Sequence, residues 1–359
     1  MSRIALRWGA VVIAAVAIGS ACAHVEPPPG GPDDTTPPAV LTVRPDAGAV
    51  VPGHEGPVVF VFDERISERS IEDAVSVSPR TSAVEVRHGR DEIRVSLRRG
   101  WEPGTIYHVG IASDVQDLFN NRLAAPIRLV FSTGPEIPET EISGGVIDRI
   151  SGAVQRDVRV EAIRTDSLVY ATAADSSGAF VIEQFPEGEY VVRAFRDLNG
   201  NRALDDFEAR DSALVTVSAG DSPDVRLRIV EADSTPPEPH TAEAREGRIR
   251  IEFDDYLDPE QEMQAVTVSV TGGGESLPVG AVSIGEPPPA PADTVQSPAG
   301  PEPLPSTRPS QTVFVELGEA ADLVPGTEYE VVIGGIANIV GIRGGGVVTF
   351  SVPEEPTAP

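Results

Sequence analysis

The feature that most constrains this chain is a diverged internal duplication. "DTTPPAV" at 34–40 is echoed by "DSTPPEP" at 233–239, and "GPVVFVFDERIS" at 56–67 by "GRIRIEFDDYLD" at 247–258. "WEPGTIYHVGIA" at 101–112 returns as "LVPGTEYEVVIGG" at 323–335, and "IRLVFSTG" at 127–134 as "GVVTFSVP" at 346–353. Four blocks in the same order mean two copies of one unit. Within each copy hydrophobes alternate with polar residues. Ile93, Val95 and Leu97 interleave with Arg94, Ser96 and Arg98, and Ile249, Ile251 and Phe253 with Arg248, Arg250 and Glu252. Period two is the signature of a strand buried on one face. Pro103-Gly104-Thr105 and Pro325-Gly326-Thr327 turn the chain into strands carrying Tyr107 and Tyr329.

Composition agrees with many short strands. Gly and Pro stand at 34 each, aromatics are 5%, and the hydrophobes, 40% of the chain, are enough for packed cores. Length allows two or three units of the usual ~100–150 residues. The expected class is all-β, as tandem sandwiches. With 56 acidic against 28 basic side chains the net charge is −28, and no cationic cluster breaks it. Nucleic acid, whose backbone is held by clustered cations, is therefore not an expected partner.

The Asp-Thr-Thr-Pro-Pro start, Val-x-Phe-Asp, Pro-Gly-Thr-x-Tyr, "DLFNNRL" at 117–123 and "VFSTG" resemble the SbsA-type bacterial Ig-like domain, over 37–134. Asn120-Asn121 fills the place of that family's Gly-Asn turn. The copy at 233–353 is degenerate, "NIVGIRG" at 338–344 keeping only the outline of the turn. The resemblance implies display or adhesion at the cell envelope rather than catalysis. The second copy also carries a proline-dense insertion, "EPPPAPADTVQSPAGPEPLPSTRPSQ" at 286–311, which cannot support a sheet ladder. It is expected to be a disordered surface loop, a Pro-rich docking peptide being the alternative.

Between the copies, residues 140–230 form a different unit. Asp175-Ser176-Ser177-Gly178 and Pro186-Glu187-Gly188 are turns feeding strands through Phe180 and Ile182, and through Tyr190, Val192 and Ala194. Gly-x-Val, D-x-x-G-x-F and P-x-G-x-Y in that order resemble the carboxypeptidase regulatory-like (transthyretin-like) β-sandwich, a non-catalytic module. Inside it, "DLNGNRALDDFE" at 197–208 places Asp197, Asn199, Asn201, Asp205 and Glu208 at positions 1, 3, 5, 9 and 12 of a twelve-residue loop. Ala203 at position 7 can add a carbonyl. Oxygen donors at this spacing suit a structural Ca2+, which takes about 6–8 of them. Arg202 rather than Gly at position 6 and the lack of flanking helices leave an acidic loop of Asx turns as the equal alternative.

At the N-terminus, Arg3 and Arg7 precede the apolar "WGAVVIAAVAIGSA", which is too short to span a bilayer. Gly19, Ser20 and Ala21 then lead into Cys22, the chain's one cysteine. The arrangement resembles a bacterial lipobox, with Gly19 where Leu is usual. The resemblance implies a signal peptide over 1–21, diacylglycerol on Cys22, and, because Ala23 follows, an outer-membrane destination. The alternative is an ordinary signal-peptidase site reading Ala21-Cys22-Ala23 as A-x-A. Residues 22–36 are expected to be a tether and 354–359 a polar tail.

Enzyme signatures are missing. The histidines at 24, 54, 88, 108 and 240 are scattered, and neither a nucleophile elbow nor a phosphate loop appears. Asp63-Glu64 and Asp254-Asp255 are adjacent acids expected on opposite faces of a strand. The expectation is a non-enzymatic envelope lipoprotein whose sandwiches meet envelope proteins or glycans. A glycan-binding accessory role is the second reading, weakened by having only Trp8 and Trp101, and an unfamiliar hydrolase the third.

Overall fold

The computed structural model describes residues 34–71, 73–286, 308–318 and 321–353. The signal segment, Cys22, most of the proposed tether, residues 287–307 of the insertion and the tail lie outside them. Strands dominate, and among the described residues only two single-turn 3-10 segments, Glu68–Ser70 and Met263–Ala265, interrupt them. Among the described residues no helix is long and apolar enough to cross a membrane.

The first unit contains β1 (Val40–Arg44), β2 (Val58–Phe62), β3 (Val75–Ser78), β4 (Val84–His88), β5 (Glu92–Leu97), β6 (Ile106–Ile111) and β7 (Ile127–Ser132). They form two sheets, ordered β1-β2-β5-β4 and β3-β6-β7. Alternation decides which side chains meet between them. Val58, Phe60 and Phe62 of β2 and Ile93, Val95 and Leu97 of β5 are buried against Tyr107, Val109 and Phe131. Each such side chain contributes about 1.5–3 kcal/mol when removed from water.

The middle unit contains β8 (Glu141–Asp148), β9 (Arg159–Arg164), β10 (Val169–Ala173), β11 (Ala179–Glu183), β12 (Gly188–Phe195), β13 (Arg210–Val217) and β14 (Asp224–Ile229). Its sheets are β10-β9-β12-β13 and β11-β8-β14, the last pair parallel. The turn at Asp175 forms as its residues require. Asp175 Oδ1 accepts the Ser177 and Ala179 N–H groups at 2.8 and 3.1 Å, and Gly178 takes φ 76°. Glu161, 4% exposed, is made tolerable by Arg159 at 2.7 Å and Arg193 at 2.6 Å.

The last unit contains β15 (Pro239–Arg245), β16 (Arg248–Leu257), β17 (Thr267–Gly272), β18 (Glu275–Leu277), β19 (Val279–Ile284), β20 (Ser310–Leu317), β21 (Glu328–Ala337) and β22 (Arg343–Ser351). Its sheets, β15-β16-β20-β19 and β18-β17-β21-β22, repeat the strand order of the first unit with β18 added at one edge. The duplication in sequence is thus a duplication of topology. Both Pro-Gly-Thr turns close alike: the backbone N–H of Glu102 donates to the Tyr107 hydroxyl, and that of Val324 to the Tyr329 hydroxyl, each at 2.8 Å. Gly104 and Gly326 supply the left-handed residue at φ 71° and 78°. The Pro-rich insertion ends sooner than 311. Ser310 and Gln311 open β20, because beyond Pro309 the chain regains the N–H groups a ladder needs.

Candidate functional site

The loop at 197–208 joins β12 to β13 at one end of the middle unit. Backbone donors fix its side-chain oxygens one after another. Asp197 Oδ2 accepts the Arg202 N–H at 2.8 Å, Asn199 Oδ1 that of Asn201 at 2.9 Å, and Asn201 Oδ1 that of Ala203 at 2.7 Å. Glu208 is fully buried, and its two oxygens accept the Leu198 and Asp205 N–H groups at 2.9 and 3.1 Å. Asp205 Oδ2 receives the side-chain amides of both Asn199 (2.7 Å) and Asn201 (2.9 Å). Gly200 and Arg202 both adopt positive φ, 72° and 62°, so the position-6 arginine takes the conformation a glycine would. Asp197 Oδ1 is buried without a hydrogen-bond partner. The expected ligands therefore share one tightly tied loop, with Ala203 present through its N–H.

Arg202 also reaches the first unit, donating to the carbonyls of Asp73 (3.2 Å) and Val75 (3.5 Å). Beside it the edge strands β3 and β10 face each other. Ser78 Oγ donates to the Val169 carbonyl at 2.8 Å and accepts the Ala171 N–H at 2.9 Å, so one hydroxyl bridges two sheets. A groove of about 960 Å³ runs along this junction, lined by Arg80, Thr81, Arg128, Arg159, Glu161 and Arg202 among others. His108 also lines it, with Nε2 3.1 Å from the Gln184 carbonyl and its ring 5.6 Å from that of Tyr170. Protein packed on both sides pushes the His108 pKa down to about 4. At the other junction Arg228 takes Glu260 with both terminal nitrogens (2.7 and 3.2 Å), and Arg149 lies 3.5 Å from Asp258.

The sequence did not reveal a third constellation. Carboxylate oxygens of Asp34, Glu64 and Asp117 all lie within 4.8 Å of one another. Asp34 precedes β1, Glu64 follows β2 and Asp117 opens the "DLFNNRL" turn. Asp34, the third residue from the end of the expected tether, is held to the fold by Asn121, whose side-chain amide donates to its carbonyl at 3.1 Å. Asp63 and Glu64 fall just past the end of β2 rather than on a strand, and Asp63 Oδ1 accepts the Ala39 N–H at 2.8 Å. What the strand pattern concealed is that Glu64 then meets acids from two other blocks. The signal was present in the repeat, since each of the three lies in a block that recurs.

Of the other histidines, His54 packs edge-on against Phe131 at 5.6 Å, and His88 Nε2 lies 3.0 Å from the Ile66 carbonyl. Both serve the first unit's packing.

No curated protein matches the chain. Among solved structures, a Pseudomonas aeruginosa protein described as a candidate carbohydrate-binding protein aligns at 17% identity over 26% of this chain and 90% of its own, with a TM-score of 0.20. A Bacteroides uniformis protein of similar description aligns at 14% identity over 60% and 100%, TM-score 0.19. The N-terminal part of the bacterial S-layer protein SbsC aligns at 14% identity over 55% and 45%, TM-score 0.20. The family-level match is narrower and firmer: residues 34–133, the first sandwich with its Asp34 lead-in, match the bacterial Ig-like domain family.

Proposed function

We propose that this protein is a non-catalytic display or scaffolding component of the bacterial cell envelope. Its sandwiches are held from the outer membrane by a lipid on Cys22 and meet envelope proteins. The observation that carries the reading is the pair of junctions. Arg202, Ser78 and His108 on one side and Arg149 and Arg228 on the other make direct polar contacts between successive units. Such contacts suit a chain that presents surfaces in fixed relation rather than one that only links them. Crosslinking in intact cells, with mass-spectrometric identification of neighbours, tests it. Recurrent envelope proteins captured through the sandwiches are expected, and their loss in Cys22→Ala cells supports the anchor. A Cys22→Ala protein that still enters the detergent phase as wild type does removes the lipid.

Within this reading the 197–208 loop holds a structural Ca2+ through Asp197, Asn199, Asn201, Asp205 and Glu208, with the Ala203 carbonyl completing the set. The partnerless Asp197 Oδ1 supports it, while the Asn199 and Asn201 oxygens, each accepting the N–H two residues on, suit equally the alternative of an acidic loop closed by Asx turns. Melting curves in excess Ca2+ and in chelator are expected to separate; superimposed curves refute the ion.

A second reading, glycan binding, rests on the junction groove, whose arginines, Glu161 and Thr81 offer hydrogen bonds to sugar hydroxyls. A glycan array on wild type and on Arg80→Ala distinguishes it from pure scaffolding.

A further inference from the structure

The two Ig-like units solve one problem with different chemistry. In the second, Asn338 is fully buried at the turn after β21. Its Oδ1 accepts the N–H groups of Val340 (3.2 Å) and Ile342 (2.9 Å). Its Nδ2 donates to Asp233 (3.1 Å), Asp255 (2.8 Å) and the Thr235 carbonyl (3.2 Å). Two carboxylates are thus tied together by one amide.

The first unit has the same turn. Asp117 is 1% exposed, and its Oδ1 accepts Phe119 N–H (2.7 Å) and Asn121 N–H (2.8 Å), two and four residues on, as in Asn338. The Asp117 N–H donates to the Asn121 carbonyl at 3.0 Å, as that of Asn338 donates to Ile342 at 2.9 Å. The left-handed residue, Asn120 at φ 71°, answers to Gly341 at φ 88°. By the sequence register Asp34 corresponds to Asp233 and Glu64 to Asp255. Where the second unit points an NH2 group at these two acids, the first points another carboxylate. Asn121 Nδ2 satisfies Asp117 Oδ2 from one side at 2.8 Å and the Asp34 carbonyl at 3.1 Å, but neither of these bonds ties Glu64 in.

We infer that the first unit closes this seam with a proton carried by Glu64 and donated to Asp117, in the place of the Asn338 amide, and that this unit loosens as the proton leaves. The surrounding charges agree. Partial burial raises the Glu64 pKa, and Asp117, Asp34 and Asp63, facing it from the turn, the lead-in and the end of β2, raise it further. Of the nearby arginines, Arg65 is exposed and Arg122 pairs with Asp114 at 3.0 Å. Asp117 stays charged. Burial opposes its ionisation, but the Asn121 amide and the N–H groups of Asn121 and Phe119 outweigh that and hold its pKa below the usual range. Glu64 is thus the proton carrier and Asp117 the acceptor.

The sign follows. A carboxyl whose pKa is raised by folding leaves the folded unit unpenalised below the ordinary glutamate value. Stability then falls as pH rises from there through the raised value. Because Asp34 leads into β1, the cost falls first on the lead-in joining the sandwich to whatever precedes it.

The test is urea unfolding of the full chain from acid to neutral pH, read by Trp101 emission in a Trp8→Phe background. Glu64→Gln keeps a donor towards Asp117 at every pH, and Asp117→Asn installs the second unit's amide. Subtracting the variant profile from wild type cancels His108, which titrates over an overlapping range with the opposite sign. We expect the wild-type unfolding constant to rise on the order of tenfold, relative to Glu64→Gln, for each pH unit of Glu64 displacement. Asp117→Asn is expected to share the flatter profile, and should it not fold, Glu64→Gln alone decides. Parallel profiles for wild type and Glu64→Gln overturn the shared proton. So does a neutral-pH stabilisation of wild type by millimolar Ca2+ or Mg2+ that Glu64→Gln abolishes, which would make a metal ion the closing group.

Discussion

The first and last sandwiches share strand order, turn chemistry and a stacked aromatic pair, yet differ in what fills the space around that pair. Tyr107 stacks on Phe131 at 5.6 Å and 24°, Tyr329 on Phe350 at 5.4 Å and 20°. In the first unit Trp101 packs edge-on against both rings, at 4.9 and 5.1 Å, and donates its indole N–H to the Gly56 carbonyl at 2.8 Å. The corresponding residue of the last unit is Leu323, half-buried at the margin of its core. The comparison separates two kinds of constraint. Groups that complete a turn, such as the tyrosine hydroxyl and the oxygen at 117 or 338, persist through divergence. Groups that only fill volume drift.

The largest expected effect tests that separation at the filler. Trp101→Ala should cost about 3–5 kcal/mol in urea unfolding, against about 1 kcal/mol for Leu323→Ala, because only the tryptophan is deeply buried. Equal costs would mean that the units have cores of equal quality. Next comes Asn338→Asp, which gives the last unit the first unit's chemistry beside Asp255. There burial and the Asp233 charge already raise the pKa, while the Thr235 donors hold Asp233 down to about 2. A third acid should cost about 2–4 kcal/mol at neutral pH and less in acid; a cost independent of pH would break the analogy. Tyr107→Phe and Tyr329→Phe should each cost about 1 kcal/mol, and similarly, since each removes one acceptor from an equivalent N–H. The last effect is confined to acid, at His108, whose counterpart Glu330 is exposed. With its pKa lowered from 6.5 to about 4, the contribution of neutral His108 is lost as pH falls through that window, and His108→Gln should flatten that limb of the stability profile.

Much of this architecture was legible in the chain. The alternation in β5 and β16, the Pro-Gly-Thr turns and the Asp175 turn each rest on a local rule, and local rules survive divergence. "NIVGIRG" reads as a faded copy because its letters differ from "DLFNNRL". The hydrogen bonds that close its turn do not differ, since an amide oxygen and a carboxylate oxygen accept the same two N–H groups. The 197–208 loop was legible as a set of oxygens at fixed spacing, but not as a contact. Nothing near Arg202 in sequence announces that it reaches carbonyls more than a hundred residues earlier. The convergence of Asp34, Glu64 and Asp117 was hidden for the same reason, its members being brought together by three separate connections.

The parallel pairing of β14 on β8 has a mechanical consequence. The first and last strands of the middle unit are neighbours running the same way, in register from Ser143 with Asp224 to Asp148 with Ile229. A pull applied through the flanking chain draws β8 backward and β14 forward, sliding one along the other. The rungs of that ladder bear the tension together instead of opening one at a time, so the unit in the middle of the chain is built to resist stretching.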